Sequence, residues 1–278
     1  MRFIFRYLQL NIFYLPLALV CISYAFSTSY ANEVKPTIRK VSKHKSPNIE
    51  DYIKYLADID HEHDIQNSKL QAQADQLRLK TIASIDKLLQ ADEIDKAGRF
   101  ELLLRLGSTY VERHDYLRTR EIEFYSQLFD LWSEKGQKGI PPKIDYKESK
   151  KELRKAADTY RKLVIEFPHH PRTDLVLLVL AQTLSRLGNE NAILFYNQLL
   201  KSHPDSSFVP DAYLALAEHY FDHNKLDDAI KNYRYVMNFK DHRVYPYSIY
   251  KLGWAYYNLG GESSRKGEGK FSKVYYSI

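Results

Sequence analysis

Two apolar stripes of helical period, separated by one polar break, make Pro210 to Phe239 (PDAYLALAEHYFDHNKLDDAIKNYRYVMNF) a helical hairpin. Tyr213, Leu216, Ala217 and Tyr220 fall at i, i+3, i+4 and i+7, the spacing of one helix face. Asn224 to Asp228 interrupts the stripe, and Ala229, Tyr233 and Val236 resume it. The small Ala217 and Ala229 mark where two antiparallel helices come closest, with aromatics filling the space beside them. One such hairpin cannot bury its own apolar face, so neighbours are required. Upstream, Leu180-Ala181 and Leu184 repeat the small-residue step, followed by Gly188, Ala192, Tyr196, Leu199 and Pro204; downstream, Leu252-Gly253, Tyr256 and Gly260 do the same. Leu180, Leu216 and Leu252 are each 36 residues apart. An irregular helical bundle has no reason to hold that register, whereas stacked hairpins do. The expected fold is all-α, a helical-hairpin solenoid.

The beginning of the chain has a different character. Arg2 and Arg6 precede a largely apolar run, Leu8 to Phe26, and Ser29-Tyr30-Ala31 places small residues at −3 and −1 of a signal-peptidase site. Residues 1–31 are therefore expected to be a signal peptide, with an uncleaved anchor as the alternative because the apolar run is long. Either way the bulk of the chain is exported, to a periplasmic or outer-membrane-associated location. The single cysteine, Cys21, lies within this segment. A lipoprotein site would want Leu and a small residue where Ala18 and Val20 stand, which argues against lipidation. The remainder then has no thiol chemistry, as suits an oxidising compartment.

Residues 32–48, polar, basic and broken by Pro36 and Pro47, are expected to be a flexible tether. A helical region over 49–99 follows, capped near Asn48 and carrying the stripe Ala74, Leu77, Thr81, Ile85 and Leu88, with an antiparallel partner starting near Asp92. Phe100 to Tyr110 contains another Leu106-Gly107-x2-Tyr110 step, and helix is expected to about Glu134, where Gly136, Gly139, Pro141 and Pro142 break it. Ser149 to Phe167 is the next helix. Residues 100–170 thus form a divergent unit with long inserted helices, and 171–278 an array of regular units. The last unit is incomplete: Glu262 to Gly269 is hydrophilic and glycine-spaced, and Phe271 and Val274 stand where a second helix would continue. The chain reads as a truncated form of a longer array.

The residues of the hairpin resemble a tetratricopeptide unit, whose pattern is aromatic-x2-L-G-x2-Y, then A-x3-F, then Pro, with a period of about 34. Here the positions hold Tyr213, Leu216, Ala217, Tyr220, Ala229 and Tyr233, with Ala replacing Gly and no closing Pro. The runs His203-Pro204-Asp205-Ser206-Ser207-Phe208-Val209-Pro210-Asp211-Ala212-Tyr213 and Tyr250-Lys251-Leu252-Gly253-Trp254-Ala255-Tyr256-Tyr257-Asn258-Leu259-Gly260 are similar to envelope tetratricopeptide proteins of deltaproteobacteria, including gliding-motility-associated ones. A more distant similarity is to the Tol-Pal-associated coordinator and the outer-membrane-assembly lipoprotein. The resemblance covers about residues 100–278. It implies a right-handed superhelix whose concave face, lined by first-helix positions 2, 5, 9, 12 and 13, captures a peptide or helix. By register these are Gln182 and Arg186, then Glu218, Phe221 and Asp222, then Tyr250, Trp254, Tyr257 and Asn258. The alternative for the aromatics is packing against a further unit.

Nothing in the sequence points to an enzyme. A Gly-rich phosphate loop, a Ser nucleophile elbow and a usable thiol are all missing. His219 and His223 stand at i, i+4 with Asp222 beside them, but His-Tyr-Phe-Asp-His is not the H-E-x-x-H of a metalloprotease, and they are expected to face solvent. His61-Glu62-His63-Asp64 alternates acid and imidazole, yet adjacent positions on a helix point apart. His169-His170 reads as a loop. No metal or cofactor is expected. Lys138 to Lys162 is rich in Lys and Arg, which a solvated helix face explains; no aromatic-interleaved groove accompanies it, and export argues against nucleic acid. The expected partners are proteins of the cell envelope, met by an exchangeable adaptor or by an obligate structural subunit of an envelope machine.

Overall fold

The computed structural model describes residues 49–91 and 94–265, with side chains over 66–91 and 94–261. The expected signal peptide, the tether, and Phe271 and Val274 lie outside the described residues. The chain divides into two compact units, 1–60 and 61–278. In the first, the described residues 49–60 are helical. The second holds the hairpins.

Eight helices and no strand occur among the described residues: α1 (Ile49–Leu89), α2 (Lys96–Glu134), α3 (Lys147–Glu166), α4 (Thr173–Arg186), α5 (Ala192–Ser202), α6 (Val209–Asp222), α7 (Leu226–Val236) and α8 (Tyr245–Arg265). None is long and apolar enough to cross a membrane. From α2 to α8 each helix packs on the next in sequence, which is the architecture of a helical-hairpin solenoid. The packing follows the repeat residue by residue. Ala156, Tyr160 and Leu163 on α3, Ala192, Tyr196 and Leu199 on α5, and Ala229, Tyr233 and Val236 on α7 are all buried. Across from them Leu180-Ala181 and Leu216-Ala217 are buried as well. Each such leucine stabilises the fold by about 1.5–3 kcal/mol relative to exposure.

The repeat also sets where helices stop. After α4, Gly188 takes a left-handed φ of 70°, its N–H bonds Ser185 O, and Asn189 N–H bonds Leu184 O at 2.9 Å. After α6, Asn224 takes φ 57°, its N–H bonds Phe221 O, and Lys225 N–H bonds Tyr220 O at 2.8 Å. Both are the double C-terminal cap that only Gly and Asn enter at low cost. The two positions are 36 residues apart, and the next in register is Gly260. There the chain departs from the pattern, because α8 runs through Gly260-Gly261 to Arg265. The hydrophilic stretch that begins at Glu262 is therefore helical as far as Arg265.

The N-terminal pair matches the expected long hairpin. Asp95 caps α2 by accepting from Gly98 N–H at 2.8 Å, so α2 starts slightly later than Asp92 suggested. Antiparallel pairing with α1 follows from Arg78–Glu112 at 3.5 Å, Arg113–Asp75 at 3.3 Å and Arg99 Nη1 reaching Leu89 O at 3.4 Å. Arg113 also binds the buried Glu152 of α3 at 3.1 Å. The helix expected to run to about Glu134 is one uninterrupted α2, whose outer half extends beyond α3 and leaves Phe124, Phe129 and Leu131 exposed.

His114 is a buried group with a defined pH signature. Its Nδ1–H donates to Ser149 O at 2.8 Å, while Nε2 is buried without a hydrogen-bond partner. Burial, with the nearby cations Arg186 and Arg118, lowers its pKa from 6.5 despite the Ser149 hydrogen bond and Asp115. The unfolded chain thus binds the extra proton first, and stability is full above about pH 6.5 and falls as pH drops. His219 is shifted in the same direction. Urea midpoints measured from pH 7.5 to 5 should decline, and less steeply in His114→Gln; equal slopes would remove His114 from the account.

Candidate functional site

α4, α6 and α8 are the first helices of successive hairpins and carry the nine residues expected to bind a partner. The structure puts them to different uses. Arg186 is half-buried and forms an ion pair with Asp115, tying α4 to α2. Glu218 accepts the Tyr233 hydroxyl of α7, the Tyr247 hydroxyl at 3.2 Å and Lys251 Nζ of α8 at 3.2 Å. Lys251 Nζ in turn stands 4.3 Å from the Phe221 ring centroid, a cation–π contact. Glu218, Phe221 and Lys251 therefore join two neighbouring hairpins. Gln182 and Asn258 are half-buried, and Asp222 is exposed.

The remaining three form a continuous surface on α8. Trp254 meets Tyr250 edge-on at 6.3 Å and Tyr257 at 5.7 Å between ring centroids. Tyr250, Trp254 and Tyr257 are 50%, 45% and 59% exposed. On the opposite side of the helix Leu252 and Ala255 are buried against α7. Large aromatics in this state present apolar area and hydrogen-bonding edges at little conformational cost, which suits capture of a polypeptide.

Sequence reading missed Asp115, Tyr247 and Lys251, because each acts across a distance of many residues. A usable signal was present: Lys251 is a cation about one repeat beyond the acid Glu218. It also missed the third member of a histidine cluster. His219 is half-buried, contrary to a fully solvent-facing pair, and the two rings are 4.1 Å apart between centroids. Glu190, from the turn after α4, lies 3.7 Å from His219 Nε2 and 3.4 Å from His223 Nε2. The basic run is partly internal too: Lys155 binds buried Glu152 at 2.8 Å, and Lys150, Arg154 and Arg161 border an open cleft beside Asn189 and Asn191.

Residues 175–206, the body of α4 through the end of α5, match the tetratricopeptide repeat family. The chain is also similar to the crystal structure of a tetratricopeptide repeat protein from Parabacteroides merdae ATCC 43184, at 17% identity, with 76% of this chain and 75% of that one covered and a TM-score of 0.33. No curated protein matches it.

Proposed function

We propose that this chain is an exported tetratricopeptide-repeat adaptor of the cell envelope that holds a peptide segment or helix of a partner protein against its first-helix face, without catalysis. Tetratricopeptide repeats serve as protein-interaction scaffolds, and the family match supports that much. The observation that carries the proposal is the ladder Tyr250–Trp254–Tyr257, three aromatics kept in contact with one another yet half-exposed. A partner strand or helix laid along α8 would bury them and find the exposed Asp222 on α6 as a polar contact. An envelope partner is supported by the resemblance of His203 to Tyr213 and Tyr250 to Gly260 to deltaproteobacterial gliding-type and Tol-Pal-associated proteins. Export rests on Arg2, Arg6 and Ser29-Tyr30-Ala31. N-terminal sequencing of cell-derived protein tests it, with a start at Asn32 expected and a retained Met1 favouring the anchor.

The binding reading is tested with the two tryptophans. Trp132 belongs to the outer half of α2, so Trp132→Phe leaves Trp254 as the only indole. Its emission should be red-shifted and readily quenched by acrylamide. A photo-crosslinker at Tyr257 in cells should capture one protein, whose purified segment shifts the emission to the blue. Blue, unquenchable emission from the isolated chain would place Trp254 in a core and end the proposal. An obligate subunit, the competing reading, would not be isolable as a stable monomer.

A further inference from the structure

We infer that Glu190, His219 and His223 form a zinc-class metal site that pins the turn of one repeat to the first helix of the next. The three side chains come from two hairpins and place one ligand atom each within 4.8 Å of the others. A tetrahedral ion with bonds of about 2.0–2.2 Å holds its ligand atoms roughly 3.3–3.6 Å apart. Glu190 Oε1 lies 3.4 Å from His223 Nε2, on that edge, and Oε2 lies 3.7 Å from His219 Nε2, just beyond it, so small side-chain rotations would close the set around an ion.

The second observation concerns which ring nitrogen is free. His223 Nδ1 lies 2.8 Å from His219 O, an acceptor only, so Nδ1 is the protonated nitrogen of the neutral ring and Nε2, which faces Glu190, is the nitrogen left to ligate an ion. Metal-binding histidines are oriented by this kind of outer bond to a carbonyl.

The fold prepares each ligand. His219 and His223 close the last turn of α6, where Asn224 fixes the helix end. Glu190 follows Gly188 in a turn closed by Asn191 N–H to Asn189 Oδ1 at 2.9 Å. Two imidazoles and a carboxylate favour zinc over magnesium or calcium, which prefer all-oxygen shells. A fourth position remains for water or for a donor atom of a bound protein. The role is structural: the ion would fix the angle between consecutive hairpins.

The test is calorimetric titration of the full chain with zinc chloride at pH 7.5, alongside magnesium and calcium chlorides. One zinc per chain is expected, with a Kd of about 1 μM or tighter, and no heat from the other two ions. His223→Ala, at an exposed position, should weaken binding by roughly a hundredfold or more, and Glu190→Gln by about tenfold. The His61→Ala/His63→Ala variant should bind as the parent does. Cobalt in place of zinc should give the intense visible bands of a tetrahedral ion, lost in His223→Ala while circular dichroism is unchanged. No stoichiometric zinc, or zinc retained by His223→Ala and lost with His61 and His63, overturns the inference.

Discussion

Tyr233→Ala should cost about 3–5 kcal/mol, the range for deleting a large buried aromatic. The ring is fully buried in the core that α6, α7 and α8 share, packed with Ala217, Ala229, Ile230, Leu252 and Ala255. Its hydroxyl donates to Glu218 and stays protonated, since burial and then the Glu218 charge push its pKa far up. Truncation therefore opens a cavity and also removes one of three partners of a half-buried carboxylate. Tyr233→Phe separates the two effects. It keeps the packing and loses a hydrogen bond to a charged acceptor, about 1.5–3 kcal/mol. Urea titrations of both variants read this directly. A Tyr233→Phe midpoint equal to the parent's would mean that Tyr247 and Lys251 already satisfy Glu218.

Glycine-to-alanine changes at Gly107 and Gly253 should move stability in opposite directions, although both follow the repeat leucine, Leu106 and Leu252. In a helix interior the change by itself gains about 0.8–1 kcal/mol. At Gly253, which is exposed, an added Cβ meets nothing within 4 Å, so that gain should appear in full. At Gly107 the Cβ would drive into the Tyr160 ring, with Cδ1 and Cζ at 2.8 Å. Tyr160 is itself buried in the core and has no free direction to retreat. Overpacking of this kind costs about 1–3 kcal/mol, more than the propensity gain. Gly107→Ala is thus expected to lower the thermal midpoint and Gly253→Ala to raise it. A shared sign would refute the packing described for α2 and α3.

The contrast shows what a sequence can and cannot disclose. Leu180, Leu216 and Leu252 were legible because packing between neighbouring hairpins repeats every 36 residues, and a local period survives in the sequence. Gly188 and Gly260 look alike to that reading, yet only Gly188 ends a helix. Glycine permits a left-handed stop without requiring one, so the outcome depends on what lies beyond it. The candidate face was placed by register, and Tyr250, Trp254 and Tyr257 of that face are exposed. It could not reveal that Arg186 turns to Asp115, or that Glu218 serves Tyr233, Tyr247 and Lys251. Those pairings need the distances between helices, and so does the approach of Glu190 to His219 and His223. A pattern search within one helix finds the two histidines and stops there.

Packing of each helix on its sequence neighbour also fixes how the molecule answers to force. Contacts between distant parts of a chain let a fold resist pulling as one body, and a solenoid has few of them. Drawn from its two ends, this array would yield hairpin by hairpin, each repeat of 36 residues paying out up to roughly 120–130 Å of extended chain. An array built in this way lengthens in steps under load.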